Sequence, residues 1–113
     1  MTKAELSAII HEACTHVGEG EAYFADSDRI FPRTAYWDFA WRDDVASGEG
    51  HTTIVTYQIS HAATQPRDKE LIALKHALNA HGLHPDITRE YVKGTTSPGY
   101  WHSAMAVEVV EDI

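Results

Sequence analysis

Leu6, Ile9, Ile10, Ala13, Cys14 and Val17 recur at three- and four-residue intervals, the spacing that lines one face of a helix. Thr2 and Glu5 stand at capping-box spacing ahead of that run, and Gly18 can take the left-handed conformation that stops it. The pattern predicts an amphipathic helix over residues 3–17. Residues 19–33 lose any period and read as an irregular connection. From Tyr36 to Arg42 the chain alternates, with Trp37, Phe39 and Trp41 assigned to a core side and Tyr36, Asp38, Ala40 and Arg42 to the opposite one. Ser47-Gly48-Glu49-Gly50 is turn composition, so the strand predicted at 52–61 folds back as a hairpin partner, with Val55, Tyr57 and Ile59 inward and Thr56, Gln58 and Ser60 outward.

Pro66, Asp68 and Glu70 suit the first turn of a second helix, and Leu71, Ile72, Leu74 and Leu78 form its apolar stripe. Gly82 followed by Leu83 closes it, predicting a helix over 66–81. A weaker strand at 85–93, a turn at 94–99 and a strand at 100–110 complete the chain. On that last strand Trp101, Ser103, Met105, Val107 and Val109 share the inner face, so Trp101→Ala is expected to cost the ~3–5 kcal/mol of a buried tryptophan. The order helix, strand, strand, helix, strand, strand predicts one α+β domain over residues 1–113. Its architecture is two-layer, a four-stranded mainly antiparallel sheet with both helices on one face.

The charge, −8 from 17 acidic against 9 basic residues, argues against phosphate-backbone recognition, and the basic residues form no run, so no specific nucleic-acid binding is expected. A single cysteine excludes an intramolecular disulfide and fits a reducing compartment. The N-terminal residues lack the order of a signal peptide and no apolar run reaches membrane-spanning length, so the expected location is cytoplasmic, without a membrane partner.

Catalytic chemistry finds little purchase. His11-Glu12-Ala13-Cys14-Thr15-His16 resembles a zinc-protease helix, but its histidines are five apart and point about 140° away from each other. Cys14 lies on the apolar stripe, where a thiol behaves as a small hydrophobe, and His76, His81 and His84 suit the end of the second helix. There is no nucleophile elbow, and Gly48 and Gly50 lead into a strand rather than a phosphate-binding helix. Asp43-Asp44 and Glu111-Asp112 fall at loop and tail positions. No catalytic residue, metal or cofactor is expected.

Aromatic residues on a polar sheet face are typical interface anchors, which makes Tyr36 and Tyr100, together with Arg42 and His102, the candidate interface residues. The stretches Tyr36-Trp37-Asp38-Phe39, Thr53-Ile54-Val55-Thr56-Tyr57-Gln58-Ile59, Leu71 to Leu83, and Gly99-Tyr100-Trp101-His102 running into Met105-Ala106-Val107-Glu108-Val109 set the layout. In that layout the chain resembles the small tail-completion, tail-terminator and minor-capsid proteins of tailed phages and prophages, over residues 30–111. The resemblance implies a structural, non-enzymatic virion assembly protein, a homo-oligomer closing into a ring that is typically hexameric. It would dock other head or tail proteins, in the cytoplasm during assembly and later in the virion. Two alternatives stay open on the residues alone: a small dimeric α+β enzyme or ligand-binding module using the open sheet face, and an intracellular protein-interaction adaptor.

Overall fold

The computed structural model describes residues 1–27, 30–43, 52–94 and 99–113. The predicted turn residues Ser47-Gly48-Glu49-Gly50 and residues 95–98 lie outside the described residues. The elements are α1 (Lys3–Ala13), β1 (Val17–Glu19), α2 (Glu21–Asp26), β2 (Arg33–Asp43), β3 (Thr53–Ala63), α3 (Lys69–Ala80), β4 (Thr88–Val92) and β5 (Tyr100–Glu111). One five-stranded sheet has the order β1-β2-β3-β5-β4. β1 runs parallel to β2 and every other pair is antiparallel. The fold is therefore α+β as expected, with a mixed sheet of five strands and three helices in place of four strands and two helices.

The extra elements are short. A three-residue strand cannot display a period of two, nor a six-residue helix a period of 3.6, so residues 17–26 look irregular until the sheet receives them. α1 starts as predicted, with the Thr2 hydroxyl accepting the Glu5 amide at 3.2 Å. It stops at Ala13 rather than 17 because Cys14 turns extended and Val17 is claimed by Thr34 of β2. Thr15 also leaves the helical path to donate its amide to Glu70 Oε1 at 2.9 Å, tying the α1 exit to α3. Gly18 is required where it stands, since a Cβ there would collide with the Tyr23 ring of α2.

α3 begins at Lys69, three residues later than its Pro66 suggested. The Asp68 carboxylate accepts the Glu70 and Leu71 amides at 3.0 and 3.3 Å and so defines the cap. Its exit is the one expected: Gly82 takes a positive φ of 81° and the Leu83 amide returns to the Leu78 carbonyl at 2.9 Å.

Leu6, Ile9 and Ile10 of α1 and Leu71, Leu74 and Leu78 of α3 pack on Val55, Tyr57, Ile59, Met105, Val107 and Val109, all buried. Each such side chain contributes about 1.5–3 kcal/mol over an exposed one, which is what holds the two layers together. Ile72, assigned to the same stripe, instead faces outward at 41% exposure.

The face assignment of β2 is corrected. Tyr36 lies opposite Ile59 in the helix-facing row, is 4% exposed, and bonds Ser7 of α1 through its hydroxyl at 2.9 Å. Trp37 therefore takes the other face. Between Asp38 and Ala40 the register shifts, leaving Phe39 as the extra residue of a β-bulge, so that Trp41 returns to the side of Val55. Local alternation counted three aromatic residues against one tyrosine and chose the wrong face; pairing with β3 decides it.

Trp101 is on the helix-facing side as predicted, opposite Ala63, but beyond the reach of the helices and only half-buried. It packs edge-on against Tyr91, with the Arg89 guanidinium over its ring at 5.1 Å. Trp101→Ala is now expected to cost about 2 kcal/mol, below the full-burial figure, which thermal unfolding would report as a fall of roughly 8 °C.

Candidate functional site

The most chemically suggestive cluster lies where α3 starts. Thr34, His61, Ser103 and Arg89 are register partners across β2, β3, β5 and β4, forming one polar row on the helix-facing side. Thr34 Oγ1 lies 2.8 Å from His61 Nδ1, and His61 Nε2 lies 3.0 Å from Asp68 Oδ2. One proton on Nε2 satisfies both contacts: the imidazole donates to the Asp68 carboxylate and accepts from the Thr34 hydroxyl. The Cys14 thiol adjoins this chain through Thr34.

Hydroxyl, imidazole and carboxylate in series are the parts of a nucleophile-activating triad, yet this chain is sealed. Thr34 is 0% and His61 1% exposed, so no substrate atom can approach the hydroxyl that would serve as nucleophile or the imidazole that would activate it; of the three only the Asp68 carboxylate keeps some exposure. Burial also pushes the Cys14 thiol up to about 11, against the pull of its hydrogen bond to Thr34, which keeps it protonated and unreactive. The cluster is a polar seam that joins α3 to the sheet, and among the described residues no buried side-chain nitrogen or oxygen lacks a hydrogen-bond partner.

Burial lowers the His61 pKa below its ordinary 6.5, outweighing the opposing Asp68 carboxylate. The sign follows directly. Below that ordinary value the unfolded chain takes up a proton at His61 that the folded chain refuses, so stability is fully present above it and declines as pH falls. Chemical denaturation at about pH 7.5 and about pH 5.5 should show a loss at the lower pH that shrinks in His61→Gln. An equal loss in the variant would place the effect elsewhere.

The predicted interface residues scatter. Tyr36 is in the core and offers no outer surface. Arg42 is exposed and holds Glu108 with two nitrogens at 3.2 and 3.1 Å. Tyr100 and His102 are half-buried on the face away from α1 and α3. The Tyr100 ring lies against Phe31 and under the Arg33 guanidinium, while His102 meets Phe24, Glu90 and Ser60. α2 and residues 30–33 cover this end of the face that was expected to be open, which explains why Ala35, Ser60 and Ala62 are buried there. Among the described residues no three His, Cys, Asp or Glu side chains gather as a metal site.

What the structure leaves uncovered is the far end of the sheet. β1 pairs only with Thr34, Ala35 and Tyr36, so among the described residues β2 runs on to Asp43 as an edge. Phe39 and Trp41 sit on that edge, 57% and 61% exposed. Val110 and Ile113, at 44% and 60%, lie at the same end, since Asp43, Thr53 and Glu111 form one register row. Phe39 and Trp41 are given to the core by alternation; Phe39 is instead the extra residue of the bulge, and Trp41, although on the side of Val55, is left exposed at this end of the sheet, outcomes with no sequence signal. Among the described residues no helix is long and apolar enough to cross a membrane. No protein-family model matches this chain, and no curated protein matches it.

Proposed function

We propose that this protein is a non-enzymatic assembly subunit that self-associates through the exposed β2 edge, in the role of a phage or prophage tail-completion, tail-terminator or head–tail joining protein. The observation that carries the assembly reading is Phe39 and Trp41, both more than half exposed on a strand whose outer backbone edge has no strand partner beyond Tyr36 among the described residues. Such an edge carries free N–H and C=O groups along with large aromatic area, a combination that isolated monomers normally blunt with charge or cover. The full burial of Thr34 and His61 supports a role without catalysis. The phage setting rests on the sequence layout alone, and ring closure follows from it, since a head-to-tail contact repeated by rotation closes on itself.

Native mass spectrometry over a concentration series tests the reading. The wild-type chain is expected to form a closed oligomer, a hexamer in the favoured case, and Phe39→Asp with Trp41→Asp is expected to remain monomeric with unchanged circular dichroism. A wild-type chain that stays monomeric at every concentration, or a double variant that assembles normally, would overturn it.

A further inference from the structure

We infer that the groove between α3 and β4 is the acceptor for the acidic end of β5 from a second copy, which makes the subunit contact head-to-tail. This rests on the self-association reading above and names the second half of the interface.

The groove has a volume of about 330 Å3, with Leu71, Ile72 and Ile87 as its apolar lining and Arg67, Lys75 and Arg89 beside them. With neighbouring Lys69, these are four of the nine basic residues in a chain whose charge is −8. None of the four lies within ion-pair distance of a carboxylate among the described residues, whose ion pairs are Lys3 with Glu19, Arg42 with Glu108, His61 with Asp68 and His102 with Glu90. Arg89 is fixed rather than free-swinging: its Nε donates to Ser103 Oγ at 3.1 Å and its terminal nitrogen to the Pro66 carbonyl. Ile72, 41% exposed, is left uncovered by this chain's own core.

The opposite end of the sheet is its chemical complement. Val110 and Ile113, whose exposure is 44% and 60%, flank Glu111 and Asp112 there; Asp43 of β2 adds to the negative charge, while Glu108 is already paired with Arg42. An apolar groove rimmed with cations fits a segment that offers aliphatic side chains between carboxylates, because each desolvated charge then meets an opposite one.

The same copy cannot make this contact. Arg89 pairs with Ser103 on β5, and Glu111 lies eight residues further along that strand, about 27 Å away at 3.4 Å per residue. Residues 112 and 113 extend no more than about 7 Å past Glu111. The end of β5 therefore reaches such a groove only on a neighbouring molecule, and a contact between different surfaces of identical chains is heterologous, the kind that builds rings.

The test is a charge exchange followed by native mass spectrometry and sedimentation velocity. Arg67→Glu with Lys75→Glu alters exposed groove residues, and Val110→Lys with Asp112→Lys alters the exposed end of β5; circular dichroism and thermal melting check that each stays folded. Each double variant should raise the concentration needed for assembly by about tenfold or more. An equimolar mixture of the two should assemble again, since the acidic groove meets the basic end and the basic groove the acidic one. If the groove variant assembles as the wild type does, or the mixture fails to recover, the acceptor is elsewhere even though self-association through Phe39 and Trp41 stands. A wild-type chain that never associates would overturn both.

Discussion

Arg33→Ala should lower the stability of this domain by about 3–4 kcal/mol, seen as a fall of roughly 15 °C in the thermal midpoint. Arg33 is 2% exposed, which an arginine tolerates only with its charge and donors engaged. Its Nε donates to the Phe24 carbonyl at 2.9 Å and Nη1 to the Ile30 carbonyl at 3.3 Å. The guanidinium also lies over the rings of Phe24, Phe31 and Tyr100 at 4.6, 5.0 and 5.3 Å. Removing it strips α2 and residues 30–33 of what fastens them to the sheet. The Phe24 and Ile30 carbonyls are only part-buried, so losing their donor costs toward the low end of about 1–3 kcal/mol each, and a desolvated cation over an aromatic ring contributes about 2 kcal/mol. These terms overlap, hence a total below their sum. Arg33→Lys should recover less than half of the loss, because an ammonium cannot present the planar fork that bonds two carbonyls while stacking on rings. A melting midpoint within about 3 °C of wild type for Arg33→Ala would refute this account of how α2 is held.

The second large effect is expected at Asp68. Its carboxylate caps α3 by accepting two backbone amides and also accepts from the buried His61 imidazole. Asp68→Ala removes the cap, at about 1 kcal/mol, and orphans a buried donor, at about 1–3 kcal/mol, for an expected loss of 2–4 kcal/mol in denaturant unfolding. Asp68→Asn keeps an oxygen that can cap the helix and serve His61, so its cost should stay near 1 kcal/mol. The contrast isolates geometry from charge: if Asn is as damaging as Ala, the negative charge rather than the hydrogen bonds is what α3 requires.

The elements legible in the sequence were those whose own side chains repeat often enough to declare a period. Leu6, Ile9 and Ile10 mark α1, Leu71, Leu74 and Leu78 mark α3, and Val55, Tyr57 and Ile59 mark β3, each buried as its spacing required. The inner face of β5 was equally plain from Met105, Val107 and Val109. β1 and α2 were not legible, since three and six residues hold too few repeats and both are stabilised by what they touch: Val17 by the β2 backbone, Phe24 by Arg33 and His102.

The candidate site divides the same way. That Arg42 and His102 sit away from the helices was readable from alternation, while Tyr36 was assigned outward and lies inward. Two of the aromatic residues that face solvent, Phe39 and Trp41, were assigned to the core. A β-bulge adds one residue without any compositional mark, and one residue is enough to reverse every face beyond it. The amino-acid sequence by itself determined which segments are amphipathic, where α1 starts and that the chain carries an excess of acid. Only the tertiary structure decided which side of β2 is the inside, how His61 finds Thr34 and Asp68, and which aromatic residues are left in water. Those outcomes depend on pairings between residues far apart in the chain, and no local period encodes them.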